Sequence, residues 1–224
     1  MTGSDADAAP AAGPPAPARG PLIDDLDELE DLKDELRRAA RKRRSGRDAR
    51  FREEAAERIA LQVAELVDEL ELGPGDTVAA YVSRPVEPGT LPTLELLRER
   101  SLRVLVPVLG QALTRDWGEF TGVGDLDHRA PGRPMEPPEA AGDCSLLREA
   151  RLVLVPALRI DEAGYRLGQG GGWYDRALQH ARDVSAIVGI VYDDEVADTP
   201  LPRGDHDLPV GSVLTPTRRW RIGA

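Results

Sequence analysis

The sequence predicts a layered α/β fold built around a mostly parallel sheet. Nearly continuous runs of Val and Leu, such as RVLVPVL at 103–109 and RLVLVPAL at 151–158, are typical of strands that are covered on both faces. Segments with helical spacing of apolar residues alternate with these runs along the chain. With 224 residues, the chain is long enough to form one such domain with a substantial core.

Two amphipathic helices are predicted to come first. Leucines recur at helical spacing from Leu22 to Leu36, and this segment begins acidic and ends basic, which suits the helix dipole. SGRD at 45–48 predicts a break. Apolar residues from Phe51 to Leu70 then predict a second helix, which GPGD at 73–76 ends.

The remainder is predicted to alternate between strands and helices. Strands are expected at 77–83, 103–109, 151–158, 185–192 and, shorter, at 212–216; helices are expected at 90–100 and 174–182. Between residues 110 and 149 no regular spacing of apolar residues is found, and the segment contains Trp, Gly, Pro and charged residues. A long irregular stretch of this kind inside a compact domain is often functional.

Composition narrows the classes of function. The net charge of -11 and the pI of about 4.8 argue against a nucleic-acid-binding protein, which needs clustered positive charge. The single cysteine, Cys144, leaves no internal disulfide and fits a reducing cytoplasm. No apolar run is long enough to span a membrane.

Residues 1–21, rich in Ala and Pro, are predicted to be a disordered acidic tail. Residues 22–224 are predicted to form a single catalytic domain, and the protein is expected to be a monomer.

The stretch RLGQGGGWYDR at 166–176 is the strongest functional signal. It lies between a predicted strand and a predicted helix, where α/β proteins bind ligands, and successive glycine amides at a helix start suit phosphate. Phosphate binding at Gly168–Gly172 is therefore predicted, against the simpler alternative of a tight turn without a ligand. The Lys-Ser or Lys-Thr of a P-loop is missing, and Trp173 occupies the third glycine position of a dinucleotide fingerprint. Spacing alone leaves a nicotinamide cofactor open.

Asp175 follows this loop directly. An aspartate in the first turn of a helix is commonly a residue that matches the helix dipole. Beside a polyphosphate it could also hold Mg²⁺, which prefers one or two carboxylates together with phosphate oxygens.

The wider segment DEAGYRLGQGGGWYDRAL at 161–178 resembles the signature of the 5-formyltetrahydrofolate cyclo-ligase family. Further segments resemble the family in the right order along the chain, from about Leu32 to Pro216. Their matching residues are Lys33, Arg37, Glu87, Thr90, Glu136, Pro137, His206, Asp207 and Thr215. The departures are Trp173 in place of a tyrosine, Gly211 where an aspartate is common, and Arg159–Ile160 in place of Ala-Phe.

The resemblance implies a fold, a reaction and co-substrates. The implied fold is a three-layer sandwich of the kind shared by ribose-5-phosphate isomerase and CoA-transferase-like proteins. The implied reaction is the ATP- and Mg²⁺-dependent cyclisation of 5-formyltetrahydrofolate to 5,10-methenyltetrahydrofolate, through a phosphorylated formyl group, with release of ADP and phosphate. Such chemistry asks a protein mainly for positioning and charge neutralisation.

The resemblance also implies roles for individual residues. ATP binding is expected at Lys33, Arg37, Arg166, Leu167, Gly168, Gln169, Gly170, Gly171, Gly172, Trp173 and Tyr174. Folate binding is expected at Val82, Glu87, Trp117 and Gln169 through Trp173, and Mg²⁺ at Asp175 and Asp207. Trp117 and Phe120, in the irregular stretch, could stack on the flat pterin or pack on the core. Lys33 and Arg37 could also be plain surface charges, and Val82 a plain buried strand residue.

Three other functions stay open at this point. The first is a nicotinamide-dependent oxidoreductase. The second is a regulatory module that binds nucleotide without turnover. The third is nucleic-acid binding by the basic run at 37–50, which the acidic segment before it opposes.

Overall fold

A computed structural model of the chain describes residues 23, 25–109 and 114–223. The predicted tail at 1–21 and the predicted helix start at Leu22 lie outside the described residues. The helices that position the site are α1 (Leu26–Ser45), α2 (Ala49–Glu69), α3 (Leu91–Glu99) and α4 (Trp173–Ala177).

The strands form two sheets. They are β1 (Thr77–Ala79), β2 (Arg103–Val108), β3 (Asp116–Glu119), β4 (Ala150–Pro156), β5 (Arg159–Asp161), β6 (Arg166–Leu167), β7 (Ile187–Ile190), β8 (Val196–Ala197), β9 (Ser212–Leu214) and β10 (Arg219–Arg221). The main sheet has seven strands in the order β10-β9-β7-β4-β1-β2-β3. Its five central strands run parallel, and β3 and β10 are antiparallel edges. The expected α/β fold with a mostly parallel sheet is confirmed.

Both faces of the main sheet are covered, as the apolar runs predict. Along β2, Val104 and Val106 belong to one buried cluster, which includes side chains of α2 and α3, while Leu105 between them belongs to another on the opposite face. β4 alternates in the same way, because successive side chains of a strand point to opposite faces. Each fully buried Val or Leu contributes about 1.5–3 kcal/mol to folding, which is why these strands carry so few polar residues.

A second, three-stranded sheet, β6-β5-β8, holds the strand that leads into the glycine loop. Asp161 is 1% exposed, and its carboxylate accepts from the backbone amides of Ala163, Tyr165 and Leu201. Gly164 turns the chain at φ 84°, and an added Cβ would lie 2.6 Å from the Val210 carbonyl oxygen. These two motif residues therefore shape the hairpin that delivers Arg166.

A cap sets the start of the first helix, and two predictions further along the chain are wrong. α1 begins at Leu26, because the Asp25 carboxylate caps the amides of residues 27 and 28. The helix predicted at 174–182 is the five-residue α4 followed by a 3₁₀ turn at 178–180, since the chain must reverse before β7. The irregular stretch contains the edge strand β3. None of the helices among the described residues is long and apolar enough to cross a membrane.

Candidate active site

A cavity of about 1220 Å³ lies at the carboxyl ends of β1, β2 and β4. Its walls come from α1, from the segments that follow these three strands, from the glycine loop and from residues 204–207. Ligands of open α/β sheets bind at this edge, so the topology places the cavity where a site is expected. The glycine loop and both predicted metal ligands, Asp175 and Asp207, line it.

α1 presents a row of cations to the cavity. Lys33, Arg37 and Arg41 are spaced four residues apart and so share one helix face, and all three line the cavity. Lys33 is 7% exposed and Arg37 5%, which excludes the interpretation of both as plain surface charges. Buried cations of this kind need anionic partners or ligands, because burying a charge is costly.

The other end of α1 is anchored by a buried ion pair. The Arg44 guanidinium donates to both carboxylate oxygens of Glu195, at 2.8 and 2.7 Å, and to the Ala157 carbonyl oxygen at 2.5 Å. Both side chains are almost fully buried. This pair fixes the helix, and thereby its row of cations, over the end of β4.

Three arginine guanidinium groups hold the glycine loop in place by donating hydrogen bonds to its backbone carbonyl oxygens. Arg37 Nε donates to the Gly168 carbonyl at 3.1 Å, Arg41 Nη2 to that of Gln169 at 3.0 Å, and Arg176 Nη2 to that of Gly171 at 2.7 Å. The loop bends through left-handed conformations at Gly170 and Gly172, with φ of 105° and 56°, which side chains other than glycine rarely adopt. The backbone path of the loop thus requires glycine at these two positions.

The two predicted metal ligands are each paired with a cation. The Lys33 ammonium lies 2.6 Å from a carboxylate oxygen of Asp207, which also accepts from the Gly204 amide at 2.7 Å. Arg166 lies 2.9 Å from Asp175. Among the described residues no cluster of three or more His, Cys, Asp or Glu side chains forms a metal site, so a metal here would need ligands from a bound molecule.

Glu87 contributes a carboxylate to the cavity wall, in the segment after β1. Its buried carboxylate accepts from the Arg84 backbone amide at 2.9 Å and from the Gln169 side-chain amide at 3.1 Å. The Tyr192 hydroxyl fixes its backbone by donating to the Glu87 carbonyl at 3.0 Å. Val82 lines the same cavity although it is a buried residue of the core.

Aromatic rings form the wall next to the loop. Trp173 lines the cavity, its Nε1 donates to the Thr114 carbonyl at 3.0 Å, and its ring meets that of Tyr174 edge-on at 4.8 Å. Burial raises the pKa of Tyr174, and the nearby Glu87 charge raises it further. Trp117 is fully buried and packs behind Trp173, with ring centroids 5.5 Å apart, and Phe120 belongs to the core. Trp117 therefore backs the wall of the cavity.

Comparisons with known proteins identify the family. The sequence model of the 5-formyltetrahydrofolate cyclo-ligase family matches residues 29–216. The chain belongs to this family. The match includes every residue that the resemblance assigned to ATP, folate or metal.

Similar proteins and solved structures are reported under the names of this family. The 5-formyltetrahydrofolate cyclo-ligase of Mycolicibacterium smegmatis is 39% identical over 153 residues, covering 64% of this chain and 75% of the relative. That of Escherichia coli is 31% identical over 150 residues, covering 64% and 80%. The NMR structure of Aquifex aeolicus 5,10-methenyltetrahydrofolate synthetase superposes with a TM-score of 0.70 at 25% identity, covering 86% of this chain and 94% of that one. A synthetase from Mycoplasma pneumoniae, at 18% identity and a TM-score of 0.59, shares the fold.

Two of the three departures from the family pattern, Trp173 and Gly211, have different consequences. Trp173 keeps an aromatic ring in the cavity wall. Gly211 does not line the cavity, and an added Cβ would lie 2.4 Å from the Val184 carbonyl oxygen. An aspartate at this position would clash with the backbone, and its absence takes no carboxylate from the cavity wall.

Some residues of the site escaped the sequence prediction. Arg41 binds both the backbone and, at 3.2 Å, the side chain of Gln169, and its spacing from Lys33 and Arg37 could have revealed it. Tyr81 and Arg84 also line the cavity. They flank Val82 and Glu87 in the chain, but no motif in the sequence distinguishes them from ordinary strand and loop residues.

Proposed function

We propose that this member of the family is a 5-formyltetrahydrofolate cyclo-ligase that closes its substrate to 5,10-methenyltetrahydrofolate while it cleaves ATP to ADP and phosphate. One observation carries the proposal. A single cavity combines a row of cations, contributed by α1 and Arg166 next to the glycine loop, with a buried carboxylate, Glu87, on the segment after β1. The first suits a polyphosphate, and the second suits a neutral heterocycle that donates N–H groups.

ATP is assigned to this row of cations. Lys33, Arg37 and Arg166 would neutralise phosphate charge, and the loop from Leu167 through Tyr174 would surround the nucleotide. Support comes from the burial of these cations and from the guanidinium groups that hold the loop in one conformation. Phosphoryl transfer depends mainly on such positioning and on charge stabilisation.

Mg²⁺ is assigned to Asp175 and Asp207, whose carboxylates are the ligands that it prefers beside phosphate oxygens. The ion would supply further charge neutralisation on the phosphates. Both acids are paired with cations of the proposed ATP site, Arg166 and Lys33. When the phosphates bind these two cations, the two carboxylates would be released from their ion pairs. They could then bind Mg²⁺ instead.

Folate is assigned to the part of the cavity around Glu87. The Glu87 carboxylate would accept hydrogen bonds from the pterin. Val82 and the loop from Gln169 to Trp173 would lie beside the folate. Gln169 connects the proposed folate and ATP regions, because its side chain donates to Glu87 while its backbone carbonyl accepts from Arg41. Trp117 supports this region from behind through its contact with Trp173. The formyl group would lie between the folate region and the ATP region, next to the terminal phosphate.

The chemistry follows in two steps. The formyl oxygen attacks the γ-phosphorus, an O–P bond forms, and the bond from phosphorus to the bridging oxygen of ADP breaks. The resulting iminium phosphate is attacked at the formyl carbon by N10, which loses its proton, and the carbon–oxygen bond breaks. Phosphate leaves with the former formyl oxygen. Lys33, Arg37 and Arg166 stabilise the negative charge that moves among the phosphate oxygens.

Transfer of an isotopic label tests this mechanism. With ¹⁸O in the formyl group of the substrate, one ¹⁸O per turnover is expected in the released phosphate by mass spectrometry. Ring closure that leaves the phosphate unlabelled would contradict the proposed phosphorylation. The regulatory alternative predicts ATP binding with neither ring closure nor phosphate release.

The remaining assignments concern the protein as a whole. A single catalytic domain over residues 22–224, a monomer and a cytoplasmic location are proposed, the last because Cys144 is the sole cysteine. Nucleic-acid binding by the basic run has less support, since Arg37, Arg41 and Arg44 of that run are occupied within the protein. Light scattering after gel filtration tests the monomer, with a mass near 24.3 kDa expected.

A further inference from the structure

The segment after β1 carries a buried hydroxyl that the protein itself does not use. Tyr81 is 2% exposed, yet it lines the main cavity. Within the described part of the chain its hydroxyl oxygen has no hydrogen-bond partner. Buried polar groups are nearly always paired, and a phenylalanine would fill the same space without that cost. An unpaired hydroxyl on a cavity wall therefore points to a partner that arrives with a ligand.

Tyr81 is held firmly in place. The Thr90 hydroxyl donates to the Tyr81 carbonyl at 2.6 Å and accepts from the Ser83 amide at 3.0 Å. The Ser83 hydroxyl in turn accepts from the Thr90 amide at 3.1 Å. The ring of Tyr81 packs within the buried cluster over the main sheet. A hydroxyl fixed in this way loses little freedom when it binds a ligand.

The surroundings select the chemistry of that ligand. Burial raises the pKa of Tyr81 well above its ordinary value, and the charge of Glu87 raises it further, so the phenol stays neutral and keeps its proton. The Arg44 guanidinium acts on this pKa in the opposite direction, so the two charges offset each other and the surroundings favour an uncharged heterocycle over phosphate. The edge of such a ring also carries acceptors, which Glu87 cannot satisfy and a phenol O–H can.

Resting on the proposed function, we infer that Tyr81 is a further substrate-binding residue, whose hydroxyl donates a hydrogen bond to the pterin edge that Glu87 binds. Glu87 then accepts hydrogen bonds from donors of the ring, and Tyr81 donates a hydrogen bond to an acceptor of the same ring. The role belongs to folate binding and not to ATP, whose cationic partners lie on α1 and the glycine loop.

The test is Tyr81→Phe, which removes a single oxygen and keeps the ring. Equilibrium binding of 5-formyltetrahydrofolate is measured by quenching of tryptophan fluorescence, since Trp173 lines the cavity, and KM is measured for both substrates. A rise of about fivefold in Kd and KM for the folate is expected, with KM for ATP unchanged, because one neutral hydrogen bond contributes about that factor. A folate Kd within about twofold of wild type, or an equal rise for ATP, would overturn the inference.

A matched control is Tyr165→Phe. Tyr165 is also buried, but its ring lies 4.9 Å from the Arg203 guanidinium and does not line the cavity. Its variant is expected to bind both substrates like wild type, and unfolding curves confirm that both variants fold. Folate binding without ring closure in the wild type would refute the proposed function and leave the Tyr81 test intact. Absence of folate binding would refute both.

Discussion

Gly211 is the position where the structure and the family pattern make opposite predictions. If the aspartate common in the family were missing from the metal site, Gly211→Asp would be expected to improve activity. The structure predicts a destabilised protein instead. The Gly211 amide donates to the Ile187 carbonyl and its carbonyl accepts from the Ile222 amide, both at 2.9 Å, so the backbone cannot easily shift.

The size of the effect follows from what an added side chain would meet. A Cβ would lie 2.4 Å from the Val184 carbonyl oxygen and 2.6 Å from the Ser185 Cα, and both are backbone atoms that cannot rotate away. Overpacking of this kind costs about 1–3 kcal/mol. A carboxylate pressed against a carbonyl oxygen without a donor adds about 1–3 kcal/mol. Gly211→Asp is therefore expected to lower the free energy of unfolding by about 4 kcal/mol, and Gly211→Ala by about half of that.

Urea unfolding followed by circular dichroism measures this change. Gly124→Asp is the matched control, because nothing lies within 4 Å of the Cβ it would add, and it is expected to stay within about 0.5 kcal/mol of wild type. A Gly211→Asp protein as stable as Gly124→Asp would refute the packing argument. So would Gly211→Asp if it were both stable and more active than wild type.

Three further predictions concern the site and the pH dependence of stability. Asp175→Asn should lower kcat by about 100-fold or more and weaken its dependence on Mg²⁺, because it removes a charged ligand beside the phosphates. Gly170→Ala should raise KM for ATP about tenfold, since a non-glycine residue at φ 105° is strained. The Gly73 amide, followed by the Arg151 guanidinium, holds the pKa of Asp76 below its ordinary value of 3.8. In that pH range the folded protein binds fewer protons than the unfolded protein, so this stabilisation is present above pH 3.8 and is lost as the pH falls below it. Asp76→Asn removes the carboxyl group, so the free energy of unfolding measured in urea should depend less on pH in that range than in wild type.

Controls make these predictions specific. Asp183→Asn alters an acid that does not line the cavity, and its kcat should stay within about twofold of wild type. Gly171→Ala adds a Cβ with nothing within 4 Å and without a positive φ, so its effect on KM for ATP should be smaller than that of Gly170→Ala. Equal effects of the two loop variants would contradict the role given to backbone strain, and Mg²⁺-dependent turnover unaffected by Asp175→Asn would contradict its role as a ligand.

The sequence predicts the central sheet well because its strands are buried on both faces and leave a strong apolar signal. The edge strand β3 and the small sheet β6-β5-β8 escaped, since their strands have only two to four residues and are defined by long-range pairing. The end of the helix after the glycine loop was also missed. Its 3₁₀ turn is set by the need to reach β7, which local propensity does not contain.

The site was predictable where a motif carried it and not elsewhere. Lys33, Asp207 and the glycine loop were found through the resemblance, and the fold brings them to one cavity. That Lys33 pairs with Asp207 across 174 residues of chain could not be read from spacing. The unpaired hydroxyl of Tyr81 is likewise invisible in sequence, because it depends on which atoms surround it.

The most direct test of the account is turnover by the purified wild-type protein. Protein, 5-formyltetrahydrofolate, ATP and Mg²⁺ are mixed, and the near-ultraviolet absorbance of methenyltetrahydrofolate is followed together with phosphate release. The account predicts that product forms only when ATP is present, with one phosphate released for each ring closed. A folded protein that binds ATP and folate and yet forms no methenyltetrahydrofolate would contradict it.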